Sequence, residues 1–233
     1  MIDNLKYRHE YKYLCTAAEL EILKNRLNGF LSIDKHASDK GYCVRSMYFD
    51  SYSNHCFFEN ENGTDLRKKY RIRIYNADPS RISLEQKSKV HGKTHKRSCL
   101  LSIEQYNNLV YDDTISVHVK NDPLLNKFLV LKQTQLMKPA VIVEYDRIPY
   151  VYADGNVRIT LDMNIRSSLS FPDFFCSTLP SRLILPSGQH LLEVKFDEFL
   201  PPFIKEVINL DSLKHTTFSK YYLCRKFTTG DIL

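Results

Sequence analysis

Five separate stretches of this chain place charged or polar side chains at every second position, with mostly apolar residues between them. In "YRHEYKYL" the alternating set is Arg8, Glu10 and Lys12. In "KKYRIRIY" Arg71 and Arg73 fall on one side, and Tyr70, Ile72 and Ile74 on the other. "SLEQKS" repeats the pattern with Glu85 and Lys87, "VRITLDM" with Arg158, Thr160 and Asp162, and "LLEVKF" with Glu193 and Lys195. A period of two is the period of a β-strand, so these runs predict an antiparallel sheet with one charged face. Such a face can look out into water. It can also look inward, if the sheet curls so that Tyr11, Ile72, Leu84, Leu161 and Val194 point outward under helices.

The second arrangement has a chemical consequence. Its interior would gather Arg8, Lys12, Arg71, Arg73, Lys87, Arg158 and Lys195. Two like charges ~5 Å apart cost about 3 kcal/mol at an effective dielectric of ~20. Glu10, Glu85, Asp162 and Glu193 offset only part of the surplus. A lumen of this kind calls for a polyanion, and carboxylates beside phosphates call for a divalent metal. Because the cations repel one another, removing Arg71 or Arg73 is expected to leave the melting temperature unchanged or to raise it.

The rest of the chain fits one α+β unit spanning 1–233. At 233 residues it can bury a real core, and its 43% hydrophobic content sets it apart from disordered chains. The net charge of +6 suits a polyanionic partner. None of the six cysteines forms a C-x-x-C pair, no phosphate-binding glycine loop is present, and no apolar run is long enough to span a bilayer. The opening "MIDNLKYRHEYK" carries no secretory signal. We therefore expect a cytoplasmic protein with free thiols, with any membrane partner supplied separately.

Helix signals are few and clear. Thr16 with Glu19 and Ser102 with Gln105 form capping boxes, and Asp122 precedes Pro123 at the start of a third helix. "PPFIKEVINL" and "TTFSKYYLCRKF" predict two short helices near the end. Strands are expected at Lys6–Leu14, Val44–Asp50, Lys69–Tyr75, Ile82–Lys89, Lys96–Leu101, Ala140–Tyr150, Asn156–Asn164 and Gln189–Phe196. Loops are expected at Ser32–Tyr42, Asn76–Arg81, Val90–His95 and Pro172–Gln189. In "VEYDR", strand parity lets Tyr145 and Arg147 share a face and excludes Glu144 from it. R-x-T-x-D puts Asp162 on the face of Arg158, as its partner or as a metal ligand.

Taken in order, these motifs resemble the triphosphate tunnel metalloenzymes, and within them the VTC domain, the polyphosphate polymerase domain of the vacuolar transporter chaperone complex. The carrying residues are R-H-E-Y-K at Arg8–Lys12, V-R-S-M-Y-F-D at Val44–Asp50, R-I-R at Arg71–Arg73 and L-E-Q-K at Leu84–Lys87. They continue with G-K-T-H-K-R at Gly92–Arg97, V-E-Y-D-R at Val143–Arg147 and R-I-T-L-D at Arg158–Asp162. L-E-V-K at Leu192–Lys195 and F-S-K-Y at Phe218–Tyr221 complete the set. The resemblance implies a closed barrel, an eight-stranded antiparallel tunnel with a charged lumen and flanking helices. It implies a phosphotransferase that adds the γ-phosphoryl group of ATP to inorganic polyphosphate with Mn2+ or Mg2+, without sequence-specific nucleic-acid binding.

By motif match, Lys12, Arg71, Arg73, Lys87, Arg158 and Lys195 would act on the reacting phosphates. Arg8, Lys96, Tyr145, Arg147, Ser219 and Lys220 would bind the chain, and Glu193 and Glu10 would hold the metal. One departure stands out. The wider fold opens with E-x-E-x-K, and here the first position is Arg8, a cation in place of a carboxylate. That counts against a triphosphate hydrolase or cyclase on the same scaffold. A non-enzymatic polyanion binder is the third reading; it would show salt-steep affinity without metal or turnover.

Overall fold

A computed structural model of the chain describes residues 8–112 and 121–229. Eight strands form one antiparallel path: β1 (His9–Thr16), β3 (Tyr42–Asp50), β4 (Arg67–Tyr75), β5 (Asp78–Val90), β6 (Lys93–Leu101), β7 (Lys138–Tyr152), β8 (Val157–Ser168) and β10 (Gln189–Phe196). Their spatial order is β1-β10-β8-β7-β3-β4-β5-β6. Two short strands lie off the path: β2 (Ser32–Ile33) pairs with β7, and β9 (Arg182–Leu183) with β8. The helices are α1 (Ala17–Phe30), α2 (His55–Glu61), α3 (Ile103–Tyr111), α4 (Pro123–Thr134), α5 (Pro202–Ile208) and α6 (Lys220–Thr229).

The sheet is curled but open along most of its seam. Among the described residues its edge strands meet in one bridge, Arg8 opposite Thr94, with backbone bonds of 3.1 and 3.2 Å. The expected closed barrel is thus an open, curled half-barrel. Further along, the free edge of β1 is taken by the segment before α6: Tyr13 bridges His215, and the Thr216 amide donates to Lys12 O at 2.8 Å.

Three apolar clusters flank the sheet. On the convex face, α3 and α4 pack Tyr106, Leu109, Leu125 and Phe128 against Ile72, Ile74 and Leu84. On the other flank, α1 and α5 pack Leu20, Leu23, Leu27 and Ile204 against Ile159, Leu161, Leu192 and Val194. The third cluster lies on the concave face, where Tyr221 and Cys224 of α6 meet Val44, Val141, Val143 and Leu191. The alternation therefore resolves as the inverted arrangement: apolar outward under helices, charged inward. α6 fills one part of the concavity and leaves the charged part exposed to it.

Local signals set most boundaries. Both capping boxes form, at Thr16–Glu19 and Ser102–Gln105, and Asp122 caps α4 ahead of Pro123. β1 runs past its expected end at Leu14 to Thr16, the cap of α1; Lys6 and Tyr7 of the expected strand lie outside the described residues. Two expected loops are tight hairpin turns, because Asn76, Ala77, His91 and Gly92 all adopt positive φ. The expected 32–42 loop contains β2, and the expected 172–189 loop contains β9 and part of a 3-10 turn at Phe171–Phe175. That turn is fastened by Arg45, buried on the convex face, which donates to the Phe174 and Cys176 carbonyls at 2.8 and 2.7 Å and pairs with Glu144 at 2.6 Å. α2 has no capping box and no long apolar period, and its sequence did not announce it.

One glycine is required by a close approach. Gly41 has φ +77°, and a Cβ there would lie 2.0 Å from Arg147 O. Gly41→Ala is expected to destabilise the fold by at least about 2 kcal/mol. Thermal denaturation should show this as a Tm lower by roughly 4–8 °C. Gly29→Ala is the control: it meets nothing within 4 Å inside α1, so it should raise stability by up to about 1 kcal/mol.

Candidate functional site

The register of the ladders places opposite charges directly across from one another. Lys12 faces Glu193 and Glu10 faces Lys195 on β1 and β10; Arg147 faces Asp162 on β7 and β8; Arg71 faces Glu85 on β4 and β5. All point into the concavity, and around them opens a cavity of about 590 Å3. Among the described residues its walls carry Lys12, Arg67, Lys69, Arg71, Arg73, Lys87, Lys89, Arg147, Lys195 and Lys220 against Glu10, Glu61 and Glu193.

Each buried carboxylate serves several cations. Glu85 accepts from Arg71 Nε at 2.7 Å and Lys96 Nζ at 3.0 Å, with Arg73 at 3.8 Å. Glu10 accepts from Lys87 at 2.7 Å and lies 3.3 Å from Lys12 and 3.9 Å from Lys195. Asp162 holds Arg147 through two bonds of 2.6 and 2.7 Å. Lys220 then joins Asp162 to Glu193, at 2.6 Å from each, and Lys195 reaches Glu193 at 2.7 Å.

The electrostatics follow from this sharing. Burial works against charge on Glu193, yet Lys195, Lys220, Lys12 and Arg147 hold its carboxyl well below the usual carboxylate range. Glu10 behaves alike: burial opposes its charge, and Lys87, Lys12 and Lys195 prevail. The cations divide into two kinds. Lys220 is raised, since Asp162 and Glu193 outweigh the effect of burial. Lys87 is pushed down to about 8 by burial, with Lys12 and Lys195 adding repulsion that Glu10 does not cancel. Lys69 is pushed down to about 7 by burial and by Arg67, Lys87 and Lys12.

Of the residues expected at the site, Glu10, Lys12, Arg71, Arg73, Lys87, Tyr145, Arg147, Glu193, Lys195, Ser219 and Lys220 line the cavity. Arg8, Lys96 and Arg158 do not. Arg8 pairs with Asp197 at 2.9 Å, beyond the end of the sheet. Lys96 reaches in from the rim to Glu85. Arg158 shares the inner face with Lys195, but Asp34 takes it at 3.0 Å and the Tyr42 hydroxyl at 3.2 Å. The expected Arg158–Asp162 pairing is replaced by Arg147–Asp162, because cross-strand neighbours are closer than i, i+4 positions along one strand. Ser219 is not inside the helix as expected but precedes α6, and its Oγ accepts the Tyr222 amide at 3.3 Å.

Sequence reasoning missed Lys69, Arg67 and Lys89. The signal was available for all three: Arg67 and Lys69 continue the Arg71, Arg73 parity backward along β4, and Lys89 continues the Glu85, Lys87 parity along β5.

The family follows from a match over most of the chain. The model of the VTC domain family matches residues 7–228. The chain belongs to the VTC domain family. No curated protein matches the sequence. Among solved structures, this VTC domain is similar to Hippeastrum HpAC1, described as having a dominant triphosphatase activity. The identity is 13%, the coverage 98% of each chain and the TM-score 0.56. It is also similar to PH1819 of Pyrococcus horikoshii OT3, at 13% identity, 96% of this chain, 99% of that chain and a TM-score of 0.50. At these identities the likeness is one of fold. Among the described residues, no helix of this VTC domain is long and apolar enough to cross a membrane.

Proposed function

We propose that this protein is a polyphosphate polymerase that transfers the γ-phosphoryl group of ATP to the end of an inorganic polyphosphate chain lying in the cavity. The observation that carries the reading is the charge of that cavity: ten lysines and arginines against three glutamates on its walls. Such an imbalance suits a ligand with a charge on every repeat unit.

Transfer in line between phosphates needs no protein nucleophile, so the chain's residues act by placing phosphates and neutralising charge. Arg71 and Arg73 present guanidinium groups from β4 and Lys87 an ammonium from the adjacent β5, while Lys12 and Lys195 offer point charges from β1 and β10. Arg147 and Lys220 sit beside Asp162 and Glu193, at the place where a terminal phosphate would meet both cations and carboxylates. Ser219 and Lys220 close this end at the start of α6. The wall around such a polyphosphate chain is built by the inner faces of β1, β4, β5, β7 and β10. Arg8, Lys96 and Arg158 hold that wall in shape through Asp197, Glu85 and Asp34.

The donor set accommodates a divalent ion in part. Glu193, Glu10 and Asp162 offer carboxylate oxygens, and the buried Thr160 Oγ1, across from Glu193, has no hydrogen-bond partner among the described residues. These are the hard oxygen ligands that Mg2+ and Mn2+ take. Among the described residues there is no group of three or more such side chains placed to hold a metal by themselves. Glu193, with Glu10 second, would therefore hold the ion jointly with phosphate oxygens. When bound it would neutralise charge on the transferring group.

The test is a product assay. Incubated with ATP and Mn2+, the protein should release ADP and accumulate an acid-labile polymer that an exopolyphosphatase degrades. Orthophosphate appearing in step with ADP, with no polymer, would replace the reading with a triphosphate hydrolase. Tight, salt-steep polyphosphate binding with no ADP under any metal would leave a binder.

A further inference from the structure

Among the described residues most cations of the cavity have a carboxylate partner and Lys69 has none. Its ammonium donates to Asn60 Oδ1 at 2.6 Å and to Ser219 Oγ at 3.0 Å, and it lies 5.0 Å over the Tyr221 ring. Among the described residues no carboxylate pairs with it. Its neighbours thus come from α2, from β4 and from the start of α6, and all its hydrogen-bond partners are neutral. A lysine turned into a cavity with only neutral oxygens around it is placed for an anion that arrives from outside.

We propose that Lys69 is a phosphate receptor of this cavity, taking a phosphate that enters between Asn60 of α2 and Ser219 at the head of α6. The proposal rests on the polyanion reading of the cavity and adds to it a residue and a proton. Glu61 of α2 lines the same cavity and accepts from the Tyr222 hydroxyl at 3.3 Å; the groups that act most strongly on Lys69 are Arg67 on its own strand, Lys12 on β1, Lys87 on β5, Cys56 on α2 and Tyr221 on α6. None of these strongest-acting groups is an anion at neutral pH: burial pushes both the Cys56 thiol and the Tyr221 hydroxyl up. Burial and the three cations bring the free ammonium down to about 7. A phosphate at this position reverses the balance, so binding takes up a proton. The sign is fixed. The receptor is fully charged below its free value, and the binding it contributes is lost as pH rises toward its value in the complex.

The experiment is calorimetric titration of the full chain with sodium tripolyphosphate in EDTA, between pH 7 and 9, in two buffers of different ionisation enthalpy. At pH 8 the tripolyphosphate still carries part of its last proton, so uptake is read against the variants: the wild type should take up more protons than Lys69→Gln, and its advantage in affinity over that variant should shrink from pH 7 to pH 9. Lys69→Gln should bind about tenfold or more weakly at pH 7. Lys69→Arg, which cannot lose its charge, should keep its affinity at pH 9 and take up most of one proton fewer at pH 8. Circular dichroism establishes that both variants are folded. Wild-type affinity and wild-type proton uptake in both variants overturn the proposal. If the wild type ignores tripolyphosphate, or Arg71→Gln binds it unchanged, the polyanion reading itself is lost. If Arg71→Gln is impaired and the Lys69 variants are not, only the role of Lys69 is.

Discussion

Arg71→Gln is expected to weaken tripolyphosphate binding by about a hundredfold or more. The guanidinium donates from Nε and Nη2 to Glu85 at 2.7 and 2.6 Å and from Nη1 to the Tyr48 hydroxyl at 2.7 Å, and lies 5.5 Å over the Tyr48 ring. It is therefore held in one orientation with its charge in the cavity. Its loss removes charge-assisted bonds worth about 1.5–3 kcal/mol each. It also leaves Glu85 less neutralised, and one such charge ~6 Å from a phosphate costs about 3 kcal/mol at an effective dielectric of ~20. Calorimetry without metal reads the change directly, and an unchanged affinity would remove Arg71 from the binding wall.

The same variant corrects an expectation about stability. Read as a string, the arginines only repel one another, and their removal should be harmless to the fold. In the structure Arg71 is the main partner of Glu85, which is 2% exposed. Burial raises the Glu85 carboxyl, and Arg71, Arg73 and Lys96 bring it well below its ordinary range. The variant should lose about 1–3 kcal/mol, read as a Tm lower by roughly 2–12 °C. Because the folded value is depressed, that contribution is present above about pH 4.5 and fades as pH falls, so the gap between wild type and variant should narrow in acid.

Glu193→Gln should have the second large effect, in two directions. The carboxylate sits among Lys195, Lys220 and Arg147, at 2.7, 2.6 and 3.5 Å. Glutamine fills the same space but removes the negative charge, so the cavity becomes more positive. Tripolyphosphate binding without metal should tighten by about tenfold, and dependence of turnover on Mn2+ should disappear together with turnover itself. Unchanged Mn2+ dependence would move the metal to Glu10 or Asp162.

Strand parity alone sorted much of this protein. A residue two positions from an inward arginine must also point inward, so the face of Glu10, Lys12, Glu193 and Lys195 was readable from spacing, as was the choice of Arg147 over Glu144. The capping boxes of α1 and α3 were readable because a cap is built from residues three apart. What spacing could not supply is which charges meet across strands. Arg158 is on the predicted face yet turns to Asp34, 124 positions earlier in the chain, while Arg147 takes Asp162. Register and curl decide that, and they depend on packing summed over the whole sheet. The same holds for Lys69. Its parity was legible, but its lack of a carboxylate depends on α2 and the head of α6 arriving beside β4 with only Asn60 and Ser219 to offer. The sequence determined which side chains enter the cavity, because alternation is local. The tertiary structure decided which of them are neutralised there and which are left for a ligand, because an ion pair forms only where two distant segments are brought within a few ångströms.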